Sequence, residues 1–206
     1  MFKLKNLLKL SATVLVVGML FSIKVPSLYA LDNDFSDGIT VDSTLDTSDI
    51  NQGDSICDDG DGFCTLRAAI EEANSNPDAS QIKFALSGPA DFTVSGQSGY
   101  TFKPLTGLPN ITEPLTLDGY TQPGATTNSG MVGTPFNGKV LVQLDGDDVT
   151  GLNLGLHIVN AAVTVKGLSI VNTLGAMVIE QNADNSRIEG NLIGLSPNGD
   201  AIGNDQ

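Results

Sequence analysis

Apolar residues are spaced in two different ways along this chain. Leu66, Ala69, Ile70 and Ala73 fall at i, i+3, i+4 and i+7, one face of a helix, with Thr65 placed to cap its start and Asn74-Ser75-Asn76-Pro77 to stop it. Arg67 and Glu71, four apart, are set to pair across one turn. From Gln81 onward the apolar runs are short and broken by Gly, Asn, Asp and Pro, which suits strands and turns and leaves no room for a second helix. Residues 31–64 are rich in Asp, Ser, Thr and Gly, with one β-prone stretch at Ile39-Thr40-Val41, and read as an extended lead-in.

Four segments share an apolar–charged–glycine triplet: Leu117-Asp118-Gly119, Leu144-Asp145-Gly146, Val165-Lys166-Gly167 and Ile188-Glu189-Gly190. Their glycines are 27, 21 and 23 residues apart, and Gly167-Leu168-Ser169-Ile170 aligns with Gly190-Asn191-Leu192-Ile193. A unit of this length cannot bury its own core, so it predicts a solenoid in which equivalent residues stack at strand spacing. Alternation sends Leu117, Leu144, Val165 and Ile188 inward and Asp118, Asp145, Lys166 and Glu189 outward, and each glycine turns a corner at positive φ. An antiparallel β-sandwich is the alternative fold that short strands allow, but it does not account for the repeat.

The first 30 residues stand apart. Lys3, Lys5 and Lys9 precede an apolar run from Leu10 to Ile23, Lys24 closes it, and Ser27-Leu28-Tyr29-Ala30 follows. This is the layout of a secretory signal cleaved after Ala30, and the run is short for an uncleaved anchor. The organisation expected is therefore a signal at 1–30, a lead-in with a disulfide loop and helix at 31–80, and stacked coils over 81–206. No closing helix follows the last coil, so a continuation beyond Gln206 is expected.

Charge narrows the partners. The chain carries 24 acids and 10 bases, a net −14, and loss of the four leader lysines takes it to −18. Such a surface repels phosphate backbones, which excludes nucleic acid, while polysaccharides and surface proteins remain acceptable partners. Cys57 and Cys64 are the two cysteines. In an exported chain they pair as a disulfide rather than hold a metal.

The stretch Cys64-Thr65-Leu66-Arg67-Ala68-Ala69-Ile70-Glu71-Glu72-Ala73-Asn74, with Val41-Asp42-Ser43-Thr44 and Asp54-Ser55-Ile56-Cys57 before it, resembles the CSLREA-type N-terminal region of bacterial surface and secreted proteins. Thr65 stands where that motif has Ser, and Ala68 where it has Glu, which removes the reciprocal capping box. Ile111-Thr112-Glu113-Pro114-Leu115-Thr116-Leu117-Asp118-Gly119 and Asn191-Leu192-Ile193-Gly194 look like the right-handed parallel β-helix, pectate-lyase-like repeats that follow such regions. The resemblance implies a mainly β protein at the cell surface or outside it, with Leu66, Arg67, Ala69, Ile70 and Ala73 in a helix that caps the first coil. It implies an address more than a chemistry.

Candidate chemistry is sparse. Asp58-Asp59-Gly60-Asp61-Gly62 offers hard oxygen ligands for calcium, but in an EF-hand register Cys57 and Ala68 fall where carboxylates are required, so a solvated acidic turn is the better reading. Asp118, Asp145, Lys166 and Glu189 form the nearest thing to an active site, since paired acids with a base suit glycoside hydrolysis or elimination. A solvent-facing charge ladder accounts for the same residues. His157 has no nucleophile motif beside it, and Asn110-Ile111-Thr112 matches a glycosylation sequon that matters only in a eukaryotic host. The expectation is a non-enzymatic, adhesin-like extracellular module without a cofactor. The rival is a secreted carbohydrate-active lyase or hydrolase whose site lies partly beyond this chain.

Overall fold

The computed structural model describes residues 37–76 and 81–204. The leader at 1–30 and Pro77 therefore lie outside the described residues. The elements are β1 (Ile39–Val41), α1 (Leu66–Ser75), β2 (Gln81–Phe84), β3 (Phe92–Val94), β4 (Gln97–Phe102), β5 (Leu115–Asp118) and β6 (Val142–Asp145). They continue with β7 (Leu154–Ile158), β8 (Val163–Lys166), β9 (Leu168–Val171), β10 (Gly175–Ile179), β11 (Arg187–Glu189) and β12 (Leu192–Ile193). The protein is mainly β, and its sheets are parallel.

Three ribbons of strands run through the described residues, in the orders β1-β2-β5-β8-β11, β12-β9-β6-β4-β3 and β10-β7. Every paired strand in them is parallel except the β3–β4 hairpin, which removes the antiparallel sandwich as an account of the fold. Parallel neighbours need long connections. The chain accordingly visits one ribbon, then the next, before returning.

Register explains the core. In the first ribbon Ile39 pairs with Ile82, Ile82 with Leu117, Leu117 with Val165 and Val165 with Ile188. In the second, Phe102 pairs with Leu144, Leu144 with Ile170 and Ile170 with Ile193. Apolar residues thus stack on apolar residues, and Phe84 meets Phe102 edge-on across the interior with ring centroids 5.8 Å apart. Ile39 through Val165 are buried, but Ile188 is exposed, as is Ile193. Alternation aims Ile188 inward as expected, yet β11 is an edge strand with no neighbour on its outer side.

The corner glycines divide into two kinds. Gly167 and Gly190 take positive φ, +71° and +62°. Gly119 does not: it opens a 3-10 turn, and a Cβ there would lie 2.1 Å from the Gly167 carbonyl oxygen, so close approach is what requires glycine.

Helix α1 begins where the pattern places it. The Thr65 hydroxyl accepts from the Ala68 N–H at 3.0 Å and donates to the Thr47 carbonyl at 2.6 Å. Leu66, Ala69, Ile70 and Ala73 join the same hydrophobic cluster as β1 and β2, against the edge strand β1. Arg67 does not pair with Glu71. Its guanidinium forks onto Asp46 at 2.8 and 3.1 Å and donates to the carbonyls of Thr106 and Gly107, while Glu71 accepts from the Asp49 N–H at 2.8 Å. A buried guanidinium needs all its donors used, which a single glutamate already holding the Asp49 N–H cannot supply. Among the described residues no helix is long and apolar enough to cross a membrane.

Candidate functional site

The outward column of the first ribbon is the place to look for chemistry. Register sets Lys83 beside Asp118, Asp118 beside Lys166 and Lys166 beside Glu189. Asp145 is not in it. That residue lies on the second ribbon opposite Val171, where it accepts from the Asn172 side chain at 2.8 Å and faces Lys103 at 3.6 Å. Four candidate residues therefore resolve into three that share a column and one on another face, and Lys83, absent from the triplet pattern, completes the row.

The column alternates in sign. Asp118 is buried, and its carboxylate accepts from Lys166 Nζ at 2.9 Å, the Tyr120 N–H at 3.1 Å and Gln81 Nε2 at 3.4 Å. Those donors cover it, which is why a position read as outward is not exposed. Glu189 is exposed and faces Arg187 of its own strand at 3.7 Å. Burial, with Asp118 nearby, raises the Tyr120 phenol above its ordinary value, and Tyr120 Oη donates to the Gly190 carbonyl at 2.6 Å. Tyr120, Lys166 and Glu189, with Thr127 and Asn128 opposite, line a shallow groove of about 410 Å³.

The acidic loop is built from turns. Cys57 and Cys64 form a disulfide with Cα atoms 5.1 Å apart. Within the loop, Asp58 Oδ1 accepts from the N–H groups of Gly60 and Gly62, and Asp59 Oδ1 from those of Asp61 and Phe63. The Thr47 hydroxyl donates to Asp59 Oδ2 at 2.9 Å. Burial pushes the Asp59 carboxyl up, but these hydrogen bonds outweigh it and hold the group below its usual range. Asp58, Asp59 and Asp61 do not converge: among the described residues no three metal-ligating side chains come together.

Glu72, one helical position beyond Glu71, escaped the reading of the sequence. It is fully buried, and its two oxygens accept from the N–H groups of Gly53 and Ser55. Burial raises its pKa against those hydrogen bonds, helped by Asp49 and Asp54. Glu71 and Glu72 together fasten the 49–55 segment to the helix. The signal was an acid at i+3 from Ala69 and i−1 from Ala73, on the rim of the buried face rather than opposite it.

Amide side chains were missed for a different reason. Asn191 Oδ1 accepts from the Leu168 N–H and its Nδ2 donates to the Val165 carbonyl, so one side chain mends the ladder at a corner. Gln122 does the same with both backbone groups of Leu86. On the third ribbon His157 Nε2 lies 2.7 Å from Glu180 Oε1. No family model, no curated protein and no solved structure matches the chain.

Proposed function

We propose that this is a non-enzymatic extracellular or cell-surface module: a right-handed parallel β-helix closed at its N-terminal end by α1 and its disulfide loop. Three parallel ribbons visited in turn are what stacked coils require, and parallel crossovers are right-handed in nearly all known cases. The 23-residue step from Leu168 to Asn191 is one coil without inserts; the longer steps carry the 119–139 and 146–153 loops. The disulfide and the leader pattern at 1–30 support export.

The observation that carries the reading is the state of Asp118. An acid or base that acts on a sugar must meet the substrate, and this carboxylate is buried under three donors in a column of alternating charge. The row works as an outward charge ladder that holds neighbouring coils in register. The lateral faces of such a stack then serve as spaced surface for polysaccharide or protein contacts.

Two measurements test this. Fractionation of the producing cells is expected to place a mature chain starting at Leu31 outside the cytoplasm; a retained, uncleaved chain in the cytoplasm overturns export. Purified protein incubated with neutral and acidic polysaccharides is expected to release neither reducing ends nor unsaturated products. The groove beside Tyr120 favours the second reading, a carbohydrate-active enzyme, and turnover that Lys166→Met abolishes would establish it in place of the first.

A further inference from the structure

The groove beside Tyr120 is bounded by two parts of the chain that the repeat does not join. Lys166, Glu189 and Gly190 line it from the coils, Thr127 and Asn128 from the 119–139 loop, and Tyr120 from the 3-10 turn where that loop begins. Lys166 and Glu189 are neighbours in the outward column of the first ribbon. The groove therefore opens to the side of the stack, in a direction set by outward side chains and not by the edge of β11. Its volume of about 410 Å³ is that of a small-molecule site.

Tyr120 is seated in this groove by backbone. A Cβ on Gly167 would lie 2.9 Å from Tyr120 Cγ and Cδ2, and one on Gly190 would lie 2.5 Å from its Oη. One edge of the ring thus runs along two successive corner glycines, and its Oη donates to the Gly190 carbonyl at 2.6 Å. A ring held at both ends offers the groove a fixed aromatic surface, with little freedom left to lose on binding. The polar groups around it are of mixed kind. Lys166 Nζ gives one proton to Asp118, and an ammonium has two more to give. Asn128 Oδ1 accepts from the Gly130 and Asn137 N–H groups at 3.2 and 3.1 Å, which fixes the amide and leaves Nδ2 as the end that can donate to a ligand. The Thr127 hydroxyl both gives and accepts, and the Glu189 carboxylate accepts.

We propose that this groove is a binding site for a neutral polysaccharide of equatorially substituted pyranose rings, one of which stacks on Tyr120. Such a ring turns axial C–H bonds toward an aromatic surface, whose electron-rich face attracts them, and carries its hydroxyls around the rim. Rim hydroxyls donate and accept, as do the groups around Tyr120. Acidic sugars are disfavoured. Lys166 is already paired with Asp118, Glu189 stands in the wall, and the chain as a whole carries a net −14. The inference rests on the non-enzymatic reading above and gives its polysaccharide contact a place and a chemistry.

Isothermal titration calorimetry of the purified chain with cellohexaose, xylohexaose and hexagalacturonate tests this. At least one neutral probe is expected to bind with a Kd below about 1 mM, and the uronate about tenfold more weakly or not at all. Tyr120→Ala removes the aromatic surface and should weaken binding by about tenfold or more, while Tyr120→Phe keeps the surface and should bind within about twofold of the wild type. Thr127→Val removes one hydroxyl and should cost about three- to tenfold. Thr127 is exposed, so this variant reads the groove even where Tyr120→Ala disturbs the fold, which melting curves check. Failure of both neutral probes to bind, a uronate that binds as tightly as they do, or full affinity in a folded Tyr120→Ala or in Thr127→Val each overturns the proposal. Product analysis of the same mixtures separates the site from the reading it rests on. Binding that fails while no shorter sugar appears overturns the site alone. Shorter sugars released by the wild type overturn the non-enzymatic reading, and affinity lost in Tyr120→Ala still places the ligand in this groove.

Discussion

Ile39 and Ile188 occupy the two ends of one inward column, and they differ in almost everything but direction. Ile39 is 1% exposed beneath α1, while Ile188 is open along one side. The same alternation produced both, so alternation decides where a side chain points and not whether anything covers it. Cover at the β1 end comes from elements outside the repeat: a capped helix, a disulfide loop closed by cysteines seven positions apart, and carboxylates that fasten the 49–55 segment to it.

The largest effect is expected where that cover is tied to the coils. Arg67 joins Asp46, Thr106 and Gly107 from a buried position. Arg67→Ala leaves Asp46 without its cation and two carbonyls without donors, and should cost about 3–5 kcal/mol in urea unfolding. A loss below about 1 kcal/mol would mean that the helix is not held this way and that the contrast between the ends is weaker than it looks. Reducing the disulfide comes next. A loop this short restrains the unfolded chain modestly, so dithiothreitol should lower stability by about 2–3 kcal/mol while the strand signal in circular dichroism survives below the new midpoint.

What was legible follows the same division. The helix could be read because cap, stripe and stop all fall within a dozen residues. The alignment of Val165-Lys166-Gly167 with Ile188-Glu189-Gly190 could be read because that coil carries no insert. Asp145 was assigned to the wrong ribbon because an apolar–charged–glycine triplet marks a corner, and the coil has more than one corner; the 119–139 loop hides which one. Lys83 was passed over because Phe84, not glycine, follows it. The partner of Arg67 lies 21 residues upstream, and nothing local in Leu45-Asp46-Thr47 announces it. Long-range polar closure is a property of the folded coils, and a sequence pattern reports only the ranges over which residues are neighbours.

Glu72 gives the covered end a pH dependence. Its folded pKa is raised above the unfolded value near 4.5, so its contribution to stability is fully present below that value and is lost as pH rises through the raised one. Against the same titration of Glu72→Gln, the wild-type chain should therefore lose relative stability on going from acid toward neutral pH. Parallel pH profiles for the two proteins would mean that the carboxyl titrates normally and that the 49–55 segment is held by Glu71 and the turn carboxylates instead.

The smallest effect is expected at Ile188, and it is the sharpest test of the contrast. Truncating a buried isoleucine to alanine costs about 2–5 kcal/mol, because contacts vanish and a cavity remains. Ile188 is open along one side of its column, so Ile188→Ala should change stability by only about 0.5 kcal/mol. A cost in the range of a buried isoleucine would mean that Ile188 is packed as Ile39 is, and the contrast between the two positions of the column would vanish.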